Sequence, residues 1–169
     1  MRFVVTGEWG RNELLRLVLL LFLGYVLLFW VTNWVLYFQK MTLDPASVVT
    51  YYLGDTESEF GRPARPVGAM AEVAHAHLFT MGLLVMTLTH LLLFLPIPVR
   101  TKAVLVMVAF ASALLDEGSG WLVRFVHPIF AWTKVAGFLL LQTSLFGLTV
   151  AMIVGVLRPT RNAYSDSAK

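Results

Sequence analysis

Residues 14–38 read LLRLVLLLFLGYVLLFWVTNWVLYF, a run whose charged residue is Arg16. A helix needs about 20 mainly apolar residues to cross a hydrocarbon core. This run is long enough, and too long for the roughly 7–15-residue core of a cleavable signal. It ends in Phe38-Gln39-Lys40 instead of small residues at a cleavage site, so it reads as a retained anchor. Trp30, Trp34, Tyr37 and Phe38 gather at its far end as an aromatic belt. Asn33 among them suits an interhelical hydrogen bond.

Three further apolar runs follow, at about Val67–Leu95, Thr101–Phe125 and Pro128–Leu157. The chain is 58% hydrophobic and 14% charged, against about 45–50% and 25% in soluble domains. In lipid every backbone group must be satisfied inside a helix or a closed barrel. Together these predict one all-α domain over residues 1–169, an integral membrane four-helix bundle in a lipid bilayer.

Between the first two runs, the 40–66 loop contains Asp44-Pro45 and, nine residues on, Gly54. Aspartate before proline is an N-cap followed by the favoured first helical position, and glycine ends helices. A short helix on the outer face is expected here, acting as a packing cap. Orientation follows from the basic residues. Arg2, Arg11 and Arg16, then Arg100 and Lys102, then Arg158, Arg161 and Lys169 mark the N-terminus, the 96–102 turn and the tail as cytoplasmic. The mixed-charge 40–66 loop then faces outward. The net charge of +3 fits this bias and does not point to nucleic acid. With no cysteine, c-type haem attachment, thiolate metal sites and disulfides are excluded.

Eight ionisable residues interrupt the apolar runs: Glu72, His75 and His77; Asp116, Glu117 and Arg124; His127 and Lys134. A charge at the bilayer centre costs roughly 2.5–3.5 kcal/mol on insertion scales, so such residues are functional candidates. At about 1.5 Å per residue, all eight fall in the outer half of the bundle. Glu72, His75, Phe79, Leu83, Met86 and His90 share a helical face, whereas His77 points roughly 140° from Glu72. His75 and His77 therefore cannot chelate one ion. Ser112, Asp116 and Ser119 share a face of the third helix. Glu117, Trp121 and Arg124 share another. Gly118 and Gly120 are expected to weaken the helix beside the carboxylates. Gly137, Gly147 and Gly155 suit close helix approach.

Three functions are compatible with this set. The first is a membrane electron-transfer subunit holding a b-type haem or a redox metal such as copper or iron. A haem would take His75 or His77 together with His127, and a metal centre would draw on Glu72, His75, His77, Asp116, Glu117 and His127. Arg124 and Lys134 would balance charge or meet a haem propionate. His90 has no assigned role. The second is a quinone and proton-handling subunit, because histidines and carboxylates accept protons as electrons leave a quinol, with Phe79, Trp121 and Trp132 as an aromatic lining for the head. The third is an accessory or assembly subunit held by salt bridges, Arg124 with Glu117 and Lys134 with Glu72 or Asp116. The partners of the leading case are other membrane or periplasmic redox subunits. No hydrolase signature is present.

Four segments carry a resemblance: Asn12-Glu13-Leu14-Leu15-Arg16; Ser47-Val48-Val49-Thr50-Tyr51-Tyr52-Leu53-Gly54; His75-Ala76-His77-Leu78-Phe79; and Leu114-Leu115-Asp116-Glu117-Gly118-Ser119-Gly120-Trp121-Leu122-Val123-Arg124-Phe125-Val126-His127-Pro128. On these the chain resembles an uncharacterised family of proteobacterial four-helix inner-membrane proteins. The resemblance spans about residues 11–155. It implies a bacterial inner-membrane setting and brings no activity with it.

Overall fold

The computed structural model describes residues 12–55 and 61–157. Arg2, Arg11, Arg158, Arg161 and Lys169, used above for orientation, lie outside the described residues. The described elements are helical: α1 Glu13–Lys40, α2 Pro45–Leu53, α3 Val67–Leu92, α4 Val99–Phe125 and α5 Ala131–Leu157. A 3-10 turn, Pro128–Phe130, leads directly into α5.

Helix ends follow local chemistry. The Asn12 side chain accepts from the Leu15 N–H at 3.1 Å and starts α1. Asp44 accepts from the Ala46 N–H at 3.0 Å, with Pro45 at the first position of α2. Gly54 ends α2 with φ of 83°, where a Cβ would collide with the Arg62 carbonyl oxygen and stand 2.8 Å from the Ala64 nitrogen. Asp55 and Arg62 then exchange backbone hydrogen bonds of 3.0 and 2.9 Å, and the Arg65 N–H donates to the Tyr52 carbonyl at 3.0 Å. The connection is thus folded back onto α2. α3 ends at Leu92, three residues before the expected Leu95, in tight turns that precede Pro96 and Pro98. Lys102 reaches back from α4 to donate to the Leu93 carbonyl at 2.6 Å.

One expectation is corrected. α4 runs unbroken through Gly118 and Gly120. A helix-interior glycine costs only about 1 kcal/mol relative to alanine. Here packing against α3 and α5 outweighs that cost. At Gly120 the missing side chain is used: a Cβ would lie 2.5 Å from the Tyr52 hydroxyl oxygen and 2.7 Å from its ring. The glycine lets α2 seat its tyrosine against α4.

α5 is the hub. It packs along α4 most extensively, and also against α1, α2 and α3. Two apolar cores result. The larger joins Leu23 and Val26 of α1, Val85, Leu88 and Leu92 of α3, Ala109 of α4, and Leu145, Leu148 and Met152 of α5. The smaller holds Tyr37, Met41, Val48, Tyr52, Met70, Val123 and Phe138 beneath α2.

The outer surface is apolar too. Leu14, Leu17, Leu21, Tyr25 and Leu28 of α1 are all more than half exposed. Apolar surface this extensive is not sustained in water. By length and composition, α1, α3 and the Pro128–Leu157 segment are able to cross a membrane. α4, which carries Arg100, Lys102, Asp116, Glu117 and Arg124, is not in that group.

Candidate functional site: a polar layer between two apolar cores

Between the two cores lies a layer of charge. Gly137 makes it possible: a Cβ there would stand 2.9 Å from the Asp116 nitrogen and 3.1 Å from its Cα. α5 therefore approaches α4 backbone to backbone, one turn from Lys134. At that contact the Lys134 ammonium donates to the Asp116 carboxylate at 2.7 Å and to the Asp116 carbonyl at 2.8 Å. Asp116 and Lys134 are only 6% and 7% exposed. Two buried opposite charges this close offset much of each other's desolvation, and neither is tolerable alone. Ser112 and Ser119 are buried on the same face of α4 and satisfy themselves on carbonyls of their own helix.

The neighbouring carboxylate has a different partner. Glu117 lies 3.1 Å from His77 Nδ1, joining α4 to α3. A carboxylate only accepts hydrogen bonds, so Nδ1 carries the proton. Nε2 is then the ring nitrogen left without a partner in this pair. Side-chain exposures of 35% for His77 and 17% for Glu117 leave this pair within reach of a ligand.

Both pairs line one cleft of about 130 Å³. Its walls come from every helix. α1 contributes Asn33, Tyr37 and Lys40; α2 contributes Tyr51 and Tyr52; Arg65 enters from the loop; Trp121 and Gln142 come from α4 and α5. The Tyr37 ring stacks on Phe138 at 3.8 Å, and its hydroxyl donates to the Thr42 carbonyl at 3.2 Å. Arg65 sits over the Tyr51 ring at 4.7 Å. Burial, reinforced by the negative charges of Asp116 and Glu117, pushes the Tyr52 phenol well above its ordinary pKa. Tyr52 therefore remains a neutral hydroxyl. Gln142 is 2% exposed, and its side-chain oxygen has no hydrogen-bond partner among the described residues.

The eight sequence candidates divide. His77, Asp116, Glu117 and Lys134 come together as described. Glu72 and His75 are exposed on the far face of α3, with His90. His127 is exposed as well, capping the 3-10 turn by accepting the Ile129 N–H on Nδ1 at 3.1 Å. Of the three histidines expected as candidate ligands, His77 lines the cleft, and His75 and His127 do not. No group of three or more His, Asp or Glu side chains able to hold a metal occurs among the described residues. The physical reason is the helical angle: placing His77 inward turns His75 outward, and His127 is occupied at a helix start. Arg124 does not meet Glu117, two helical turns away; it donates to the Arg65 carbonyl at 3.3 Å and lies over the Phe125 ring. Lys134 does take Asp116, one of the two partners expected for it.

Tyr37, Tyr52, Arg65 and Lys40 are cleft residues that the sequence reading did not assign to a site. Asn33 and Gln142 carried a signal, as polar groups inside apolar runs, whereas Tyr52 and Arg65 depend on how α2 and its loop fold back; of the aromatic residues expected at a quinone head, Trp121 lines the cleft and Phe79 and Trp132 are exposed.

No curated protein and no solved structure matches the chain. The model of the Aq_1264_TM family, described as a transmembrane helical domain, matches residues 42–163, which include α2 to α5. Since that match covers most of the chain, the protein belongs to this transmembrane helical domain family.

Proposed function

We propose that the protein is a membrane-embedded subunit of a redox system that binds a quinone-type head group and handles its proton. In this reading α1, α3, α4 and α5 all span the bilayer, both termini are cytoplasmic, and α2 covers the cleft on the outer side. The basic Arg100 and Lys102 at the α3–α4 turn support that orientation. A charged α4 is tolerable as a span because Asp116 is paired with Lys134, Glu117 faces His77, and intramembrane charges belong in bundle interiors.

The observation that carries the proposal is a single histidine–carboxylate pair opening into an aromatic cleft. A neutral His77 accepts a proton from a bound hydroxyl at Nε2. Glu117 stabilises the imidazolium that results. Tyr52, the Gln142 amide and Lys134 offer hydrogen bonds to a ring oxygen, and Trp121, Tyr37 and Tyr51 offer ring faces. The cleft is similar in size to the about 150 Å³ cavity that takes up a benzene ring. The electrons would leave to a partner subunit. A haem or metal held by His75, His77 and His127 is supported less well, because those three side chains do not converge.

An absorption spectrum and a solvent extract of the purified protein test the choice. The expected result is quinone in the extract in proportion to protein, with no reducible Soret band. A reducible Soret band that disappears on His77→Ala would replace this proposal with the haem reading.

A further inference from the structure

A second cavity, of about 220 Å³, lies between α3 and α4. Unlike the cleft, its own walls are hydrocarbon: Leu78, Gly82 and Val85 from α3, and Phe110, Ala113 and Leu114 from α4. It is larger than the about 150 Å³ that suffices for an apolar cavity to bind benzene. His77, Met81, Asp116, Glu117 and Leu141 border both this slot and the polar cleft. The two spaces therefore share one wall, and that wall includes the His77–Glu117 pair.

We infer that the slot holds the hydrocarbon chain of the same ligand, so the site takes a long-chain membrane quinone rather than a small soluble aromatic. This rests on the head-group proposal above. A polar chamber joined through its charged wall to an apolar one is complementary to an amphiphile, whose head needs hydrogen-bond partners and whose chain needs none. The position of Gly82 supports it. A Cβ built there meets nothing within 4 Å, so the glycine is not required by helix contact, and its lack of a side chain keeps the slot open. A chain leaving between α3 and α4 reaches the lipid directly, without crossing α2.

The test uses the full-length protein in nanodiscs free of quinone. Two probes share one head: a dimethoxymethylbenzoquinone and its decyl-chain analogue. Affinity of each is compared between wild type and Gly82→Leu, a ratio that cancels partitioning of the probe into lipid. Replacing a helix-interior glycine by leucine favours the helix, so the variant is expected to fold. Ala113→Leu fills the slot from the opposite wall as a second variant. The expected result is a loss of about tenfold or more for the decyl analogue in both variants, with binding of the bare head unchanged. Wild-type binding of both probes that neither variant alters would overturn the chain slot and leave the head-group site standing. Failure of wild type to bind either probe would overturn the head-group site itself.

Discussion

The two faces of α3 carry similar residue types and lead to opposite environments. One face presents Glu72, His75, Phe79, Leu83, Met86 and His90, and all six are exposed. The other presents Met70, Ala74, Met81, Val85 and Leu88, all buried, with His77 beside Glu117. The face richer in ionisable groups is the one that points away from the protein. In water, hydrophobicity would have chosen the buried side of such a helix. In a bilayer, lipid tails are as apolar as a core, so helix rotation is set by packing and by interhelical polar contacts. Here those contacts are the His77–Glu117 pair and the wall it shares with Asp116 and Lys134.

If the inner face is held by this polar layer, removing one member of its most buried pair should have the largest effect. Lys134→Met leaves Asp116 as a buried charge without its partner. It is expected to lower stability by about 3–5 kcal/mol, measured by thermal unfolding in micelles. Lys134→Met with Asp116→Leu together should recover most of that loss, since an apolar pair of similar volume needs no compensation. A double variant as unstable as the single would mean the pair does more than neutralise itself.

Gly137→Ala comes next. Its new methyl would meet α4 backbone, which has no rotamer to yield, so a loss of about 1–3 kcal/mol is expected in the same unfolding assay. Gly147→Ala, with open space around its Cβ, should be neutral or slightly stabilising by a few tenths of a kcal/mol, up to about 1 kcal/mol. His77→Ala, which removes a partly exposed hydrogen bond to a carboxylate, should cost about 1 kcal/mol, less than Gly137→Ala. His75→Ala on the opposite face should stay within about 0.5 kcal/mol of wild type. Equal effects of the two histidine substitutions would erase the distinction between the faces.

Much of the fold could be read from residue patterns. The apolar runs mark the long helices because each is too long for a soluble element. Asp44-Pro45 and Gly54 mark α2 through capping chemistry that acts locally. The 140° between Glu72 and His77 already separated the histidine that faces inward from the group that faces out. What periodicity could not say was which of the two directions was inside, because both faces of a lipid-bathed helix accept apolar side chains. Nor could it reveal Tyr52 or Arg65 as cleft residues. Their positions depend on the Asp55–Arg62 bridge, which folds the connection back, and on Gly120 admitting the Tyr52 ring, a contact between segments distant in sequence. The expected weakening at Gly118 and Gly120 does not interrupt α4, because helix packing outweighs local propensity.

The most direct test of the central claim sets the two histidines of α3 against each other. Trp121 lines the cleft beside Glu117, so a bound quinone should quench its fluorescence in a protein whose other tryptophans are replaced by phenylalanine. The account predicts saturable quenching by the decyl benzoquinone that survives His75→Ala and is lost or weakened about tenfold by His77→Ala. Quenching that is unsaturable, or that responds equally to both substitutions, would contradict a ligand site built on the inward-facing pair.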